Sequence, residues 1–262
     1  MTPALHAEWT KLRTVAAPLW LLLGAIAATV ALSAAATSVV TCTSAGCGGD
    51  PTRLDLTRLS LIGVQLGQAP VAVLAVLVIA GEYGTGMIRT TLTATPHRIT
   101  ALAAKAVALT GVVAAAGTAA VLGSLLAGRL ILPGRGFTDA HGHPALSLAD
   151  GPTLRAAAGS ILYLILIALL SLGVATILRD SATGIGVVLG LLYLFPVLAQ
   201  VIGDPHWQRL LQRIGPGVGL AVQATGDVRG LPIGPWTGLG VTAAWAAATL
   251  MAASLLLHIR DP

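Results

Sequence analysis

Charged residues are sparse in this chain, and they separate long stretches that contain no Asp, Glu, Lys or Arg. Six such stretches occupy residues 14–49, 59–81, 106–128, 156–178, 181–203 and 230–259. A helix needs roughly 20 apolar residues to cross a bilayer. Ala, Leu and Val recur in these stretches without strict alternation, which favours helices over the strands of a membrane barrel. The pattern predicts an all-α integral membrane protein with six transmembrane helices, at about 18–40, 60–80, 106–127, 156–178, 183–203 and 237–257.

Composition supports the same class. Of the 262 residues, 55% are hydrophobic and 10% are charged, whereas a soluble domain carries about 25% charged residues. The net charge of +5 does not indicate nucleic-acid binding, because the cations lie where the apolar runs end. The first run exceeds the apolar core of a signal peptide, so we expect it to be retained. We therefore interpret residues 1–262 as a single transmembrane domain.

The connections between the predicted spans are unequal. Arg179-Asp180-Ser181 forms a short turn between spans four and five, and the 129–155 loop reads as irregular. Residues 214–226 are uncharged but too short to span, which is typical of a re-entrant or interfacial segment. Pro196 should kink the fifth span because proline cannot donate a backbone hydrogen bond. Small residues at four-residue spacing predict close helix packing in two spans: Ala116, Ala120, Ser124 and Gly128 in the third, and Gly186 and Gly190 in the fifth.

The predicted spans contain no ionisable carboxylate or ammonium group. Buried charges usually mark ion-coupling sites in membranes, so their absence counts against an ion-driven carrier and against an intramembrane protease. Neither of the two lysines, Lys11 and Lys105, lies in a G-x-x-x-x-G-K-[ST] phosphate loop. We therefore expect no enzymatic activity, no bound cofactor and no metal site in this chain; if ATP drives it, another chain hydrolyses the ATP.

Two cysteines and two histidines lie in connecting segments. Cys42 and Cys47 are close enough in sequence for a disulfide in an oxidising compartment, and two free thiols are the alternative. His141 and His143 form an H-x-H pair. Two histidines do not complete a metal site, so we interpret them as solvated loop residues.

The first residues have the pattern of a helix lying flat on a membrane. Leu5, Trp9 and Leu12 share one face of a predicted helix over 3–15, and the charged residues Glu8, Lys11 and Arg13 occupy the others. Such a helix is typical of the headgroup region. A charged topology signal without helical structure is the alternative.

A second amphipathic segment lies between spans two and three, in the loop over 81–105. It reads Glu82-Tyr83-Gly84-Thr85-Gly86-Met87-Ile88-Arg89-Thr90-Thr91-Leu92, and Pro96 follows. The spacing predicts a short helix over 82–92 with Glu82 near its N-terminus, where the dipole favours a carboxylate. Such a helix suits contact with a soluble partner; an ordinary interfacial loop is the alternative.

This segment, with Pro96, Arg98 and Lys105, resembles the first cytoplasmic loop of type 2 ABC exporter permeases, whose pattern is roughly E-[YF]-x-x-G-[TM]-[IL]-R followed by P-x-R. The opening Glu8-Trp9-Thr10-Lys11-Leu12-Arg13 resembles the start of many actinobacterial members. The resemblance also covers the turn between spans four and five and the last long loop. Gly84 and Gly86 make the predicted helix less stable than is usual for the family.

The resemblance implies six spans in a bacterial plasma membrane with both termini cytoplasmic, a second permease copy or paralogue, and two ATPase subunits that bind ATP and Mg. Charge counting alone leaves this orientation undecided. The loop helix would be the coupling helix that contacts the ATPase, through Glu82, Tyr83, Thr85, Met87, Ile88, Arg89 and Leu92, and the N-terminal helix would face the same partner.

Members of the family export amphiphiles such as drugs, antibiotics, peptides or lipids. Gln65, Gln68 and Tyr163 are candidate polar pore-lining residues, and hydrogen bonding between helices is the alternative role for them. A secondary carrier and a non-transporting immunity or sensor subunit are the competing functions.

Overall fold

A computed structural model describes residues 16–42, 55–84, 98–138, 146–226 and 233–259. Within these ranges the chain is helical and contains no strand. Six helices are long and apolar enough to cross a membrane. They are α1 (Ala16–Val39), α3 (Val64–Gly84), α4 (Arg98–Ile131), α5 (Gly151–Leu178), α6 (Ser181–Val201) and α8 (Pro235–Ile259). Two shorter helices are α2 (Leu56–Ser60) and α7 (Pro205–Ile214), and short 3-10 helices cover Pro133–Arg135 and Pro216–Gln223.

The predicted number of spans is confirmed at this level, and the largest difference from the predicted bounds lies at one end of the bundle. There α3 continues to Gly84 and α4 begins at Arg98. Glu82 and Lys105, which the sequence places just outside the spans, therefore lie inside these helices. We call this end, which flanks residues 85–97, the loop end, and the opposite one the far end.

The spans differ in how much of their surface this chain covers. The most buried are α5 and α3, whereas α1, α6 and α8 expose most of theirs. At the far end, the backbone N–H of Cys42, beyond α1, donates to the Arg135 carbonyl beyond α4 at 2.8 Å. The core is a layer of apolar side chains around α5, among them Leu164, Ile167 and Leu170.

A close backbone approach joins α1 to the turn before α3. Thr29, Ser33 and Thr37 recur every four residues along α1, and all three are buried. Gly63 packs on this row, and its N–H donates to Ser33 Oγ at 3.1 Å. A Cβ added at Gly63 would lie 1.9 Å from the Thr29 carbonyl oxygen. Only glycine permits this contact.

Small residues behave differently in the two spans where the sequence predicts close packing. In α4, Ala120, Ser124 and Gly128 are buried, and a Cβ added at Gly128 would meet Ser60 Oγ at 2.3 Å. In α6, Cβ atoms added at Gly186 and Gly190 would meet nothing within 4 Å. The packing prediction is confirmed for α4 and is wrong for α6 inside this chain, because that face of α6 points away from the bundle.

Candidate functional site

A buried ion pair joins α3 to α4 at the loop end. Glu82 lies in the last turn of α3, and Lys105 lies about two turns into α4. Lys105 Nζ donates to Glu82 Oε1 at 2.6 Å, and only 1% and 6% of the respective side chains are exposed. The pair therefore connects the two helices that flank residues 85–97.

Burial determines how much this ion pair contributes to the stability of the bundle. Removing two charges from water is costly, and the attraction between them offsets that cost only while both partners are present. Loss of one partner removes this attraction while the other charge stays buried in a medium of low dielectric constant. The pair thus fixes the spacing of α3 and α4 at the base of the loop.

A cation–π contact connects the same region to the turn between α5 and α6. The Arg179 guanidinium carbon lies 5.4 Å from the centre of the Tyr83 ring. Arg179 ends α5 in a left-handed conformation, with φ 59°, and its N–H donates to the Ala175 carbonyl at 2.9 Å. Asp180 then caps α6 by accepting from the Thr183 N–H at 2.8 Å. Four spans therefore meet at the loop end through Glu82, Lys105, Tyr83 and Arg179.

These positions revise the expected role of Glu82. The sequence places it near the N-terminus of a separate coupling helix, but it lies in the last turn of α3 and points into an ion pair. Its carboxylate is therefore engaged inside the bundle. The remaining predicted contact residues lie outside the described residues: Glu8, Trp9, Lys11 and Arg13 at the start of the chain, and Thr85, Met87, Ile88, Arg89 and Leu92 in the loop.

At the far end, residues 205–226 enter the bundle and return. The helix α7 leads inward to Gly215, and the 3-10 helix Pro216–Gln223 leads back. The Trp245 indole N–H donates to the Ile214 carbonyl at 2.8 Å, and the Thr242 hydroxyl donates to the Pro216 carbonyl at 2.8 Å. The predicted re-entrant segment is therefore present as a helical hairpin packed among α5, α6 and α8.

The contacts of the hairpin give its depth. A Cβ added at Gly215 would lie 3.1 Å from the Phe195 Cβ, and Phe195 precedes the end of α6 at Val201 by about 9 Å of helix. Thr242 lies about 10 Å along α8 from its start. Gly217 lies deeper, because a Cβ added there would be 3.7 Å from the Leu192 carbonyl oxygen, about 14 Å of helix before the end of α6. The hairpin therefore reaches nearly halfway through an apolar layer of about 30 Å.

Polar side chains of α5 and of the start of α2 hold the returning limb. Gln223 Nε2 donates to Ser160 Oγ at 3.1 Å, and Arg155 donates from its guanidinium to the Ala224 carbonyl at 2.6 Å. Asp55, at the start of α2, accepts from the Thr225 hydroxyl at 2.6 Å, from the Gly226 N–H at 3.1 Å and from the Thr225 N–H. The same carboxylate caps α2 by accepting from the Arg58 N–H at 3.0 Å.

The hydrogen bonds to Asp55 decide its ionisation. Burial raises the pKa of this carboxyl, but the Thr225 hydroxyl and the N–H groups of Arg58, Thr225 and Gly226 outweigh burial and hold the pKa below its ordinary value. A folded-state pKa below the unfolded one stabilises the attachment above the ordinary pKa of about 3.9. This stabilisation is lost only as the pH falls through the lower folded-state pKa.

We expect Asp55→Asn to loosen the returning limb, because the amide keeps one acceptor oxygen but loses the charge that strengthens these bonds. Charge-assisted hydrogen bonds contribute about 1.5–3 kcal/mol, so amide hydrogen exchange over 216–226 should accelerate roughly 10- to 100-fold. In the wild type, the exchange rate of the same amides, corrected for its intrinsic pH dependence, should stay constant as the pH is lowered to about 4.

The matched control for Asp55→Asn is Asp150→Asn, because Asp150 is a helix-start aspartate whose side chain makes no capping hydrogen bond. Equal exchange in the two variants would contradict the attachment role of Asp55.

A groove of about 630 Å³ lies beside the hairpin at the far end. Its walls are mainly apolar and come from α2, α3, α6 and the hairpin, including Ile62, Phe195, Pro196 and Val218. Asp55, Arg58, Gln65, Gln212 and Gln223 supply its polar atoms. An apolar groove with a few polar groups suits an amphiphilic molecule.

The three candidate pore-lining residues separate into two environments. Gln65 is exposed and lines the groove. Gln68 and Tyr163 are buried, and the Tyr163 hydroxyl donates to Gln68 Oε1 between α3 and α5. This pair makes the interhelical hydrogen bond that the sequence left open as their alternative role.

Cys42 is a half-cystine and is buried beside Leu132 and Phe137. Cys47 lies outside the described residues, so the Cys42–Cys47 disulfide stays a prediction.

Sequence reasoning missed several residues that hold the structure together. In the sequence, Lys105 belongs to a motif that does not indicate its contact with Glu82. Arg179 indicates only a turn, and not its contact with Tyr83. Asp55, Arg155 and Gln223 carry no motif. A signal was available for α7, because Trp207, Leu210, Leu211 and Ile214 repeat at helical spacing.

Comparisons with known proteins leave the family open, since neither a family model nor a curated protein matches this chain. Across the described ranges, no group of three or more His, Cys, Asp and Glu side chains could hold a metal ion. His141 and His143 lie outside those ranges.

Proposed function

We propose that this chain is the membrane subunit of an ATP-driven exporter in a bacterial plasma membrane, with both termini cytoplasmic. On this proposal a separate ATPase binds ATP and Mg, and a second permease subunit completes the pathway. The chain itself would perform no chemistry. The proposal rests on the permease-like segment over 82–98 and on what lies at its base.

The Glu82–Lys105 ion pair is the observation that carries the proposal. The segment with the resemblance leaves α3 and enters α4, and the pair fastens those helices together within a turn or two of it. A force applied to the loop would move α3 and α4 as one unit. The Tyr83–Arg179 contact would pass the same movement to the α5–α6 turn.

The far end supports an amphiphilic substrate such as a drug, antibiotic, peptide or lipid. The groove offers a mainly apolar wall with Arg58 and Gln65 among its polar groups. The hairpin that forms part of this wall is attached by side chains from α2 and α5. Movement of the spans at the loop end could therefore reshape the groove.

A proton-coupled carrier is the second candidate, and the buried carboxylate of Glu82 favours it. The two functions differ in their energy source. ATP-dependent export that persists after the proton gradient is collapsed supports the exporter, whereas export that follows the gradient supports the carrier.

Arg89→Glu tests the exporter proposal at the loop. We expect the tagged wild-type chain, gently purified from its own membranes, to carry ATPase activity, and the Arg89→Glu chain to lose most of it. On this proposal the Arg89 guanidinium binds an acidic surface of the ATPase. A glutamate at position 89 would be repelled by that surface.

The matched control for Arg89→Glu is Arg135→Glu, which reverses an exposed charge at the far end. ATPase activity absent from the wild-type preparation, or equal in all three preparations, would contradict the proposal.

A further inference from the structure

The short helix α7 has three distinct faces. At 100° per residue, Trp207, Leu210 and Ile214 fall within about 60° of one another, and all three are exposed. Arg209 and Arg213 fall within about 40° on a separate face and are also exposed. Leu211 and Gln212 line the groove, so the third face points toward the bundle.

The position of α7 relative to the spans determines what meets the two outer faces. The helix begins only four residues after α6 ends, and Asp204 caps it by accepting from the His206 N–H at 2.7 Å. Its other end is held by Trp245 at the depth of the hairpin. Ten residues rise about 15 Å, and the drop to Gly215 is about 9 Å, so α7 is inclined at the boundary of the apolar layer.

The apolar face of α7 follows closely in the chain on a stretch of α6 whose outer face is exposed and apolar. Leu194, Val197 and Val201 expose between 53% and 77% of their area on the adjoining part of α6. Trp207 exposes 55%, and tryptophan is enriched where lipid tails meet headgroups. The exposed row Trp207, Leu210 and Ile214 is therefore suited to contact lipid, with Trp207 near the headgroup boundary and Ile214 deeper.

The charge of α7 selects among lipids. The helix Pro205–Ile214 contains two arginines and no acidic residue. Neither arginine lines the groove, and both are exposed. Guanidinium groups bind phosphate oxygens in a bidentate manner, and each basic residue near a membrane surface contributes about 1 kcal/mol toward anionic lipid.

We propose that α7 is a binding site for anionic phospholipid headgroups, with Arg209 and Arg213 contacting phosphate and with Trp207, Leu210 and Ile214 inserted beside the acyl chains. A lipid bound there would hold the descending limb of the hairpin at a fixed height beside the groove. This site is independent of the ATPase and of the identity of any exported molecule.

The test uses the full chain in nanodiscs made of phosphatidylcholine with a minor fraction of phosphatidylglycerol, with brominated acyl chains on one lipid at a time. The Trp207 signal is obtained as the difference between the wild type and Trp207→Phe, because the chain has five tryptophans. We expect brominated phosphatidylglycerol to quench Trp207 more than its mole fraction in the nanodisc would give. The preference for this lipid should be roughly fivefold for each arginine that contributes.

The variants Arg209→Gln and Arg213→Gln should each lower this preference, and the double variant should reduce quenching to the mole fraction. Arg135→Gln is the matched control, since Arg135 is exposed at the same end but outside α7. Equal quenching by both lipids in the wild type would overturn the headgroup selection. Absence of quenching by either lipid would show α7 covered by protein, such as a second copy, and would also overturn the proposal.

Discussion

Replacing Lys105 with methionine is expected to lower the free energy of unfolding by about 3–5 kcal/mol, because the substitution breaks a buried ion pair. Lys105 Nζ lies 2.6 Å from Glu82 Oε1, and both side chains are buried. Methionine fills much of the lysine volume, so the loss comes from removing the cation that faces the buried Glu82 carboxylate rather than from a cavity. Unfolding of the purified chain in lipid nanodiscs, followed by denaturant titration, measures the difference.

Two further variants separate this effect from a general loss of charge. Arg129→Met removes an exposed cation from the same helix and should change stability by less than about 1 kcal/mol. The double variant Glu82→Gln/Lys105→Met removes both charges and should recover most of the stability, because neither charge then has to be buried. A Lys105→Met chain as stable as Arg129→Met, or a double variant as unstable as the single one, would contradict the account of the loop end.

Gly63→Ala is the second substitution with a large expected effect. The added Cβ would lie 1.9 Å from the Thr29 carbonyl oxygen and 2.6 Å from Ser33 Oγ. The nearest atom belongs to the backbone of α1, so no side-chain rotation relieves the contact and the two segments must separate. Overpacking costs about 1–3 kcal/mol and occasionally more, and we expect the upper end of that range, about 3 kcal/mol.

Gly24→Ala is the natural comparison for Gly63→Ala, because a Cβ at Gly24 on α1 would meet nothing within 4 Å. Alanine is the better helix former, so this variant should be neutral or stabilised by up to about 1 kcal/mol. The same denaturant titration ranks both variants. Comparable stability of Gly63→Ala and Gly24→Ala would show that α1 and α3 do not approach as described.

The sequence was sufficient for the six spans because charged residues are absent from long apolar runs, and that pattern depends only on local composition. It could not distinguish Gly63 from Gly24, since the contact of Gly63 with Thr29 depends on how two helices cross. Gly186 and Gly190 illustrate the same limit: their spacing matches a packing motif, but their face of α6 meets no other part of this chain.

The polar contacts between helices were even harder to predict from the sequence than the packing of glycines. Glu82 and Lys105 are separated by 23 positions and pair only because α3 and α4 extend beyond their apolar runs. Asp55 meets Thr225 across 170 positions. Periodicity reports which residues share a helix face, whereas these pairs depend on the relative height of separate helices. The re-entrant segment was predictable from its length, but the polar groups that hold it were not.

Site-specific photo-cross-linking tests the central claim most directly, namely that the segment after α3 docks an ATPase. A photoreactive residue is placed at position 88 in the loop, and a matched one at position 207 on the exposed face of α7 at the far end. Irradiation of intact cells and mass spectrometry of the adducts identify the neighbours. The account predicts a phosphate-loop ATPase cross-linked from position 88 and not from position 207. An intact, membrane-inserted chain that captures no ATPase from position 88, or that captures it equally from position 207, would contradict the account.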